Sequence, residues 1–456
     1  MALLNDWPWQ QWGRVRASDV ALITTSGNLN WQQLAQQVTA LAVGFRQQGV
    51  QPGNGVVLKS KNSEAALLAY LALLQCGARL LPLNPQLPDA QMNAVLSGLN
   101  LDFAFCPDAP APDYPLTMLQ LRSVSGYSWH PWDGESLATL TLTSGSSGLA
   151  KAAAHSFNAH LASARGVTEL MSFDAAESWL LSLPLYHVSG QGIIWRWLLT
   201  GARLKLAQQA SLREALEDCS FASLVPTQLW RLLQQDSVPR ALKAVLLGGA
   251  AIPGELTARA EAAGIRCWCG YGMTEAASTI TAKRADGRGG VGLPLGNAQI
   301  KLVDREVWLR SPALACGYWR DGELLPVTDA QGWLHTRDGG IWCDNELVLT
   351  GRLDNLFFSA GEGIQPEQVE QVLLQHPAVS QAFIVPQDDE EYGQRPVALL
   401  ERSDAVSLTA IAAWAAERLA GFQYPVQWRD LPQTLSGGGI KISRRDLANW
   451  LSTHPL

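Results

Sequence analysis

T-S-G-S-S-G-L-A-K, residues Thr143 to Lys151, is a run of small hydroxyl and glycine residues that closes on one lysine. It follows the apolar alternation Leu137 to Leu142. Strand, side-chain-poor loop and cation, in that order, make room for a polyphosphate. Glycines let backbone N–H groups approach the oxygens, hydroxyls donate hydrogen bonds, and lysine adds a point charge. The spacing is not that of the P-loop, whose lysine directly follows the second glycine. Taken alone, the run reads equally well as a flexible Ser/Gly surface loop.

Working outward, strand-like and helix-like segments alternate through the first two thirds of the 456 residues. Leu29 to Gln48 reads as an amphipathic helix with Leu34, Val38, Leu41 and Phe45 on one face. Gly49, Pro52, Gly53 and Gly55 punctuate before the short strand Val56 to Leu58. Glu64 to Gln75 reads as a second helix, and Leu80 to Leu83 as a second strand. Another unit runs from strand Ala222–Val225 through helix Pro226–Gln235 to strand Ala244–Leu247. This alternation predicts an α/β fold of mostly parallel sheets covered by helices. Beyond about residue 291 short alternating strands take over, at Gln299–Val303, Glu306–Arg310 and Glu346–Thr350. They predict a β-rich subdomain. After G-R-L-D, Gly351 to Asp354, Pro366 opens a helix, and Ala382–Val385 and Val397–Leu400 read as strands. The domains expected are residues 1–351 and a small α+β unit of residues 352–456.

Composition narrows the function. Hydrophobic residues make up 47% and charged residues 16%, as in a globular protein with large cores. A net charge of -7 argues against nucleic acid, so an anionic ligand must be held by local features. No apolar run approaches the ~20 residues of a spanning helix, and the eighteen tryptophans read as core and rim packing rather than a membrane belt. Seven cysteines at irregular spacings are no disulfide framework, and Cys267 and Cys269 read as buried reduced thiols rather than zinc ligands. The start carries Asp6 and lacks a basic-then-apolar leader, so a cytoplasmic protein is expected.

Three more segments carry chemistry. L-L-G-G-A-A-I-P, Leu246 to Pro253, ends a strand in glycines, and G-Y-G-M-T-E follows at Gly270 to Glu275. Glycines after a strand admit a flat ligand, and Tyr271 offers a π-face for adenine. Thr274 supplies a hydroxyl for phosphate and Glu275 a hard oxygen for Mg²⁺. H-T-R-D, His335 to Asp338, and T-G-R-L-D, Thr350 to Asp354, place an acid and an arginine fourteen residues apart. The pair suits ribose hydroxyls, with a plain salt bridge as the competing reading. G-G-G-I-K-I-S-R-R, Gly437 to Arg445, delivers Lys441 on a glycine-rich segment, which alone reads as an exposed basic turn. Finally, Arg196 is the only formally charged residue from Ser178 to Ala202, between Trp195 and Trp197. A guanidinium buried there is costly unless an anion meets it; pairing with a distant acid, or snorkelling to solvent, competes.

The ordered set T-S-G-S-S-G-L-A-K, L-P-L-Y-H, G-Y-G-M-T-E, T-R-D, G-R-L-D and K-I-S-R resembles the acyl-adenylate-forming superfamily of acyl-CoA synthetases, luciferases and peptide-synthetase adenylation domains. The likeness covers nearly the whole chain. The opening D-W-P-W, S-L-P-L-Y-H-V-S-G-Q-G-I, L-L-G-G-A-A-I-P and G-G-G-I-K-I-S-R are similar to the branch of succinylbenzoate-activating ligases of menaquinone biosynthesis.

That resemblance implies an ATP-dependent ligase that makes an acyl-adenylate and then a CoA thioester, with 2-succinylbenzoate, ATP and CoA as its small-molecule partners and Mg²⁺ as its metal. Thr143, Ser144, Gly145, Ser146, Ser147, Gly148 and Lys151 match the phosphate loop, and Thr274 a further phosphate contact. Glu275 matches the Mg²⁺ ligand. Gly248, Gly249, Ala250, Tyr271 and Gly272 match the adenine pocket, and Asp338 with Arg352 the ribose clamp. His187 matches the residue bordering the acyl carboxylate, with Ser189, Arg196 and Thr227 placed on the same acyl side. Arg196 would meet the second carboxylate of a dicarboxylic acid. Asp354 matches the hinge of a mobile C-terminal lid, Lys441 the lysine required for adenylation, and Gly361 a glycine lining the pantetheine channel.

The chain departs from the usual pattern at Ser147, at Ala150 and at Arg337, which stands where T-G-D has glycine, so a different local backbone is expected there. Rival readings are another aryl or medium-chain acyl-CoA synthetase, a carrier-loading adenylation domain, disfavoured because no carrier module follows Leu456, and a non-catalytic nucleotide-binding relative. Retention of Lys441, Glu275, Asp338 and Arg352 argues against the last. The sequence leaves a homo-oligomer open.

Overall fold

The computed structural model describes residues 4–87, 89–127, 130–143, 151–208, 210–235, 237–249, 252–359, 362–436 and 442–454. Two large sheets dominate. The first has nine strands, and its middle six run parallel in the order Arg266–Met273, Ala244–Leu247, Phe221–Leu224, Ser178–Leu180, Arg203–Lys205 and Val20–Thr24. Antiparallel strands finish both edges, among them Ser278–Arg284 beside Arg266–Met273. The second sheet has eight strands, with Leu137–Thr143, Arg79–Leu83, Gly55–Lys59 and Phe103–Phe105 parallel at its centre. Lys151–Ser156 and Gly317–Arg320 extend it antiparallel on one side.

Helices join the two sheets into one core. Glu64–Gln75, sequence EAALLAYLALLQ, is buried at every position from Ala66 to Gln75, which is what a helix apolar all round requires. Ser63 caps it, its hydroxyl accepting from the Ala66 N–H at 3.1 Å. Trp31–Gln47 presents Leu34, Val38, Leu41 and Phe45 inward, the face expected from sequence. It begins two residues later than Leu29, because Leu29 still pairs in a strand and Asn30 forms a capping box with Gln33. Trp7, Trp9, Trp31, Trp179, Trp195 and Trp197 are buried in the same core, so these tryptophans are packing residues.

A four-stranded antiparallel sheet follows: Gln299–Val303, Glu306–Arg310, Leu334–Cys343 and Glu346–Arg352. The C-terminal part has its own sheet and core. Val379–Asp389 and Gly393–Arg402 form a long antiparallel pair, Gln427–Asp430 adds in parallel, and helix Pro366–Leu373 packs Val369 and Leu373 against them. Pro366 occupies the first helical turn, where its missing N–H costs nothing. Helix Pro226–Leu232 ends three residues short of the expected Gln235, and the strand before it is Phe221–Leu224 rather than Ala222–Val225. Val225 is held extended as the helix N-cap because it precedes a proline. All seven cysteines are free; burial pushes the Cys267 thiol up to about 12 and that of Cys269 up to about 11, which leaves both inert. Among the described residues no helix is long and apolar enough to cross a membrane.

Candidate active site

Thr143 closes strand Leu137–Thr143 and Lys151 opens Lys151–Ser156, and the two are register partners. The backbone therefore leaves and re-enters the sheet at one point. Ser144, Gly145, Ser146, Ser147 and Gly148 lie outside the described residues, as do Ala250, Gly361 and Lys441.

Thr143 and Lys151 open on a cavity of about 890 Å³, whose walls also carry Gly249, Tyr271, Gly272, Thr274, Glu275, Asp338, Arg352 and Asp354. Residues spread over more than two hundred positions thus converge, at the ends of parallel strands where α/β sheets bind ligands. Gly248, Ser189, Thr227, His187 and Arg196 do not line that cavity.

The residues expected at the adenine, as far as they are described, stand on strand Arg266–Met273 and on the turn after Ala244–Leu247. A Cβ on Gly272 would fall 1.7 Å from the Ser278 carbonyl oxygen, so no other residue fits under the neighbouring strand. Gly249 holds a φ of +83°, which glycine adopts without strain. Tyr271 is buried, and its hydroxyl donates to Asp338 Oδ2 at 2.6 Å, which fixes the ring. Burial first, and the Asp338 charge second, raise its phenol well above the usual value, so it stays a donor.

Asp338 and Arg352 face each other across paired strands Leu334–Cys343 and Glu346–Arg352. Arg352 Nη1 donates to Asp338 Oδ1 at 3.2 Å and to the Thr336 carbonyl at 3.2 Å, while Nη2 meets Asp354 Oδ2 at 3.3 Å. Burial draws the guanidinium pKa down, but the two carboxylates outweigh it and the net shift is upward. Sequence offered ribose clamp and salt bridge as competing readings; the pair is a salt bridge, and it stands in the cavity wall. Arg337 keeps a φ of +62°, the left-handed geometry a glycine would take, while its N–H donates to Glu306 Oε1 at 2.9 Å. The arginine bears the strain of that geometry.

Thr274 and Glu275 form a single 3₁₀ turn, Thr274–Ala276, ended by Ala277 at a φ of +49°. Glu275 Oε1 accepts from the Tyr318 hydroxyl at 2.8 Å, and the Lys151 Nζ sits 5.0 Å from the Tyr318 ring centroid. Tyr318 was not singled out from sequence, because only the pairing of Gly317–Arg320 with Lys151–Ser156 brings it to the site. Among the described residues no group of three His, Cys, Asp or Glu is arranged to hold a metal. The Glu275 carboxylate, in the same cavity as the Thr274 hydroxyl and Lys151, is nevertheless a donor that suits Mg²⁺, which keeps waters and takes phosphate oxygens.

The residues expected on the acyl side stand on other elements. His187 is the N-cap residue of helix Val188–Thr200, its ring 4.9 Å from that of Tyr186, and Ser189 lies in the first turn. Thr227 sits on Pro226–Leu232. A residue sequence gave no hint of, Asn62, ties down the stretch before His187: its amide donates to the Leu181 and Leu183 carbonyls at 3.3 and 2.9 Å and accepts from the Leu185 N–H at 3.0 Å.

Arg196 is 1% exposed on helix Val188–Thr200. Nη1 donates to Ser223 Oγ at 3.2 Å, Nη2 to Thr279 Oγ1 at 3.4 Å, and the guanidinium lies 5.0 Å from the Trp179 ring centroid. Nε has no hydrogen-bond partner, and no carboxylate among the described residues pairs with it. Burial pulls its pKa down to about 9, so the guanidinium is charged at neutral pH. Its burial disfavours a solvent-reaching stem, and a distant acid finds no support among the described residues.

Residues 9–319 match the AMP-binding enzyme family, and residues 368–437 match the AMP-binding enzyme C-terminal domain. The chain belongs to the AMP-binding enzyme family. More narrowly, it is similar to the 2-succinylbenzoate–CoA ligase of Salmonella typhimurium, 52% identical over 447 residues covering 98% of both proteins. It is equally similar to that of Escherichia coli, at 52% over 450 residues, 98% of this chain and 99% of the relative. A solved arginine-to-lysine variant of E. coli MenE with bound OSB-AMS superposes with a TM-score of 0.94 at 52% identity, covering 99% of each chain.

Proposed function

We propose that the protein is an ATP-dependent acid–CoA ligase that converts 2-succinylbenzoate, ATP and CoA to 2-succinylbenzoyl-CoA, AMP and pyrophosphate, in menaquinone biosynthesis. The observation that carries this reading is the pairing of two features. One polar cavity collects Thr143, Lys151, Tyr271, Thr274, Glu275, Asp338 and Arg352, and a separate buried arginine meets no carboxylate among the described residues. The first suits a nucleotide; the second suits an acid with a carboxylate to spare. The 52% identical ligases point the same way.

In the first half-reaction a carboxylate oxygen of the acid attacks the α-phosphorus of ATP, and the bond to pyrophosphate breaks. In the second the CoA thiol, losing its proton, attacks the acyl carbonyl and AMP leaves. Neither step needs a covalent protein nucleophile; both need positioning and charge neutralisation. Lys151 and Thr274 hold the phosphate oxygens, with Ser144, Gly145, Ser146, Ser147 and Gly148 as the rest of the loop. Glu275 holds Mg²⁺, which when bound neutralises phosphate charge. Tyr271, Gly272 and Gly249 line the adenine pocket, with Gly248 and Ala250 assigned to it as the sequence neighbours of Gly249, and Asp338 with Arg352 takes the ribose. His187 borders the reacting carboxylate, with Ser189 and Thr227 on the same side, and Arg196 binds the non-reacting carboxylate.

Residues 352–456 are assigned as the lid, Asp354 as its hinge, Lys441 as the cation it delivers for adenylation, and Gly361 as part of the pantetheine channel. Asp354 lies in the turn Leu353–Asn355 directly after Arg352, where a change in φ/ψ would swing everything that follows. We place the reaction in the cytoplasm, which supplies ATP and CoA and suits seven free cysteines. ATP–pyrophosphate exchange across a panel of carboxylic acids tests the reading. Exchange driven by 2-succinylbenzoate is expected; exchange with an unrelated acid alone would reassign the substrate, and exchange with none would sink the enzymatic reading.

A further inference from the structure

We propose that Tyr318 keeps Lys151 and Glu275 from pairing with each other, so that both stay available to the nucleotide and its cation. The inference rests on the roles assigned to those two residues above. A cleft that holds a free cation and a free carboxylate side by side would tend to neutralise itself when no ligand is bound, because opposite charges in a partly desolvated site attract. Among the described residues Lys151 and Glu275 form no ion pair. The structure shows what stands between them.

Tyr318 is on strand Gly317–Arg320, opposite Ala153 in the antiparallel pairing with Lys151–Ser156. Lys151 is two residues from Ala153 and so lies on the same face, a diagonal neighbour of Tyr318 across the strands. The lysine Nζ accordingly rests 5.0 Å from the ring centroid. The other end of the side chain reaches Glu275, the hydroxyl donating to Oε1 at 2.8 Å. A second bond fixes the same spacing from the backbone: the Ala315 N–H, three residues upstream of Tyr318, donates to the Glu275 carbonyl at 2.8 Å. One phenol thus offers a π-face to the cation and a proton to the anion, a division of labour that its single ring and single hydroxyl permit. Tyr318 also lines the cavity itself.

Tyr318→Phe removes the hydroxyl and keeps the ring. In nucleotide-free protein the freed Glu275 is then expected to swing to Lys151, and an ion-paired amine reacts more slowly with an acylating reagent. Trace labelling with acetic anhydride, read by mass spectrometry against the other lysines, should show Lys151 slowed by about 5-fold, the scale of a partly exposed ion pair. Tyr318→Phe with Glu275→Gln should restore the wild-type rate. In parallel the KM for MgATP should rise in Tyr318→Phe while the KM for the acid holds, a split that general destabilisation would not produce. Glu275→Gln alone should leave Lys151 labelling unchanged, because the two groups are already apart. Faster labelling in that variant, or an unchanged rate in Tyr318→Phe, overturns the proposal. The labelling needs neither metal nor turnover. Failure of the wild-type protein to exchange pyrophosphate with any acid would therefore count against the functional reading and leave this result standing.

Discussion

Arg352 and Arg196 are both cations close to the candidate site, and the protein treats them in opposite ways. Arg352 has a half-exposed side chain and shares two carboxylates, Asp338 and Asp354. Arg196 is buried against Trp179 and meets only the hydroxyls of Ser223 and Thr279. A third case lies one residue away. The His160 ring stacks on Trp195 at 5.1 Å and 8°, with the His155 ring 5.1 Å beyond it, and neither histidine has an acidic partner among the described residues. Histidine can shed its proton when buried; arginine cannot do so near neutral pH. The comparison separates three solutions to one problem: pair the charge, lose the charge, or leave it for a ligand. Only the last makes sense as a site whose anion arrives from outside.

The largest expected effect belongs to the unpaired cation. Arg196→Ala should raise the KM for 2-succinylbenzoate by an amount equivalent to about 2–4 kcal/mol, the cost of losing one side of a buried charge pair. An analogue lacking the non-reacting carboxylate should be affected far less, and Arg196→Lys should recover part of the loss, without the planar fork. The same site should behave inversely in the ligand-free protein. Arg196→Met removes a buried charge that no carboxylate among the described residues compensates, so its thermal midpoint should not fall and should rise if repacking succeeds. Steady-state kinetics on the diacid and monoacid decide the first point. Equal penalties for both would place Arg196 among structural residues and dissolve the contrast with Arg352.

The histidine pair predicts a pH dependence of comparable size. Burial, opposed by the backbone around Thr274, Ala153 and Glu275, holds His155 down at about 4; burial and then the His155 charge hold His160 well below its ordinary value. Between the unfolded value of 6.5 and about 4, the unfolded chain therefore binds more protons than the folded one. Stability is complete above pH 6.5 and falls as pH drops through that window, by about 3 kcal/mol from His155 alone. Urea titrations at pH 7.5 and 4.5 measure it. His160→Gln, whose amide can still meet the Thr139 hydroxyl now 2.7 Å from Nε2, should flatten the slope. An unchanged slope would mean that other groups carry the acid sensitivity.

A smaller effect is expected at the paired cation. Asp338→Asn weakens the bond to Arg352 and the acceptor for the Tyr271 hydroxyl together. The KM for ATP should rise by about 1–2 kcal/mol, with the preference for diacid over monoacid unchanged. A change in that preference would show that the two regions are coupled rather than independent.

How much of this was legible beforehand follows the same division. Ala244–Leu247, Gln299–Val303 and Glu306–Arg310 have the bounds that their apolar runs announce, because flanking glycines and charges stop the strands locally. Asp338 and Arg352 were legible because a short hairpin joins them, and Arg196 because a lone charge among tryptophans stands out in any reading. Tyr318, Asn62 and the histidine pair were not. Each matters through a partner more than twenty residues distant or through strand order, as Asn62 does in bridging the ends of two different sheets. Strand Val379–Asp389 exceeds the expected Ala382–Val385 for a related reason: pairing with Gly393–Arg402 carries polar Gln381, Gln387 and Asp388 into a ladder their composition does not predict.

Arg337 offers the smallest effect and the cleanest control. Its φ of +62° costs an L-residue about 1–2 kcal/mol, which glycine would not bear. Glycine in turn gives back about 0.5–1 kcal/mol through the entropy of the unfolded chain. Arg337→Gly should therefore stabilise the protein by a margin on the order of 0.5 kcal/mol. The N–H bond to Glu306 survives, because it belongs to the backbone. Asp338, the next residue, would keep its place, so adenylation kinetics should hold. A clear loss of stability would mean that the Arg337 side chain contributes binding energy of its own. A fall in ATP affinity without loss of stability would add Arg337, which already lines the cavity, to the cations that serve the ligand rather than the fold.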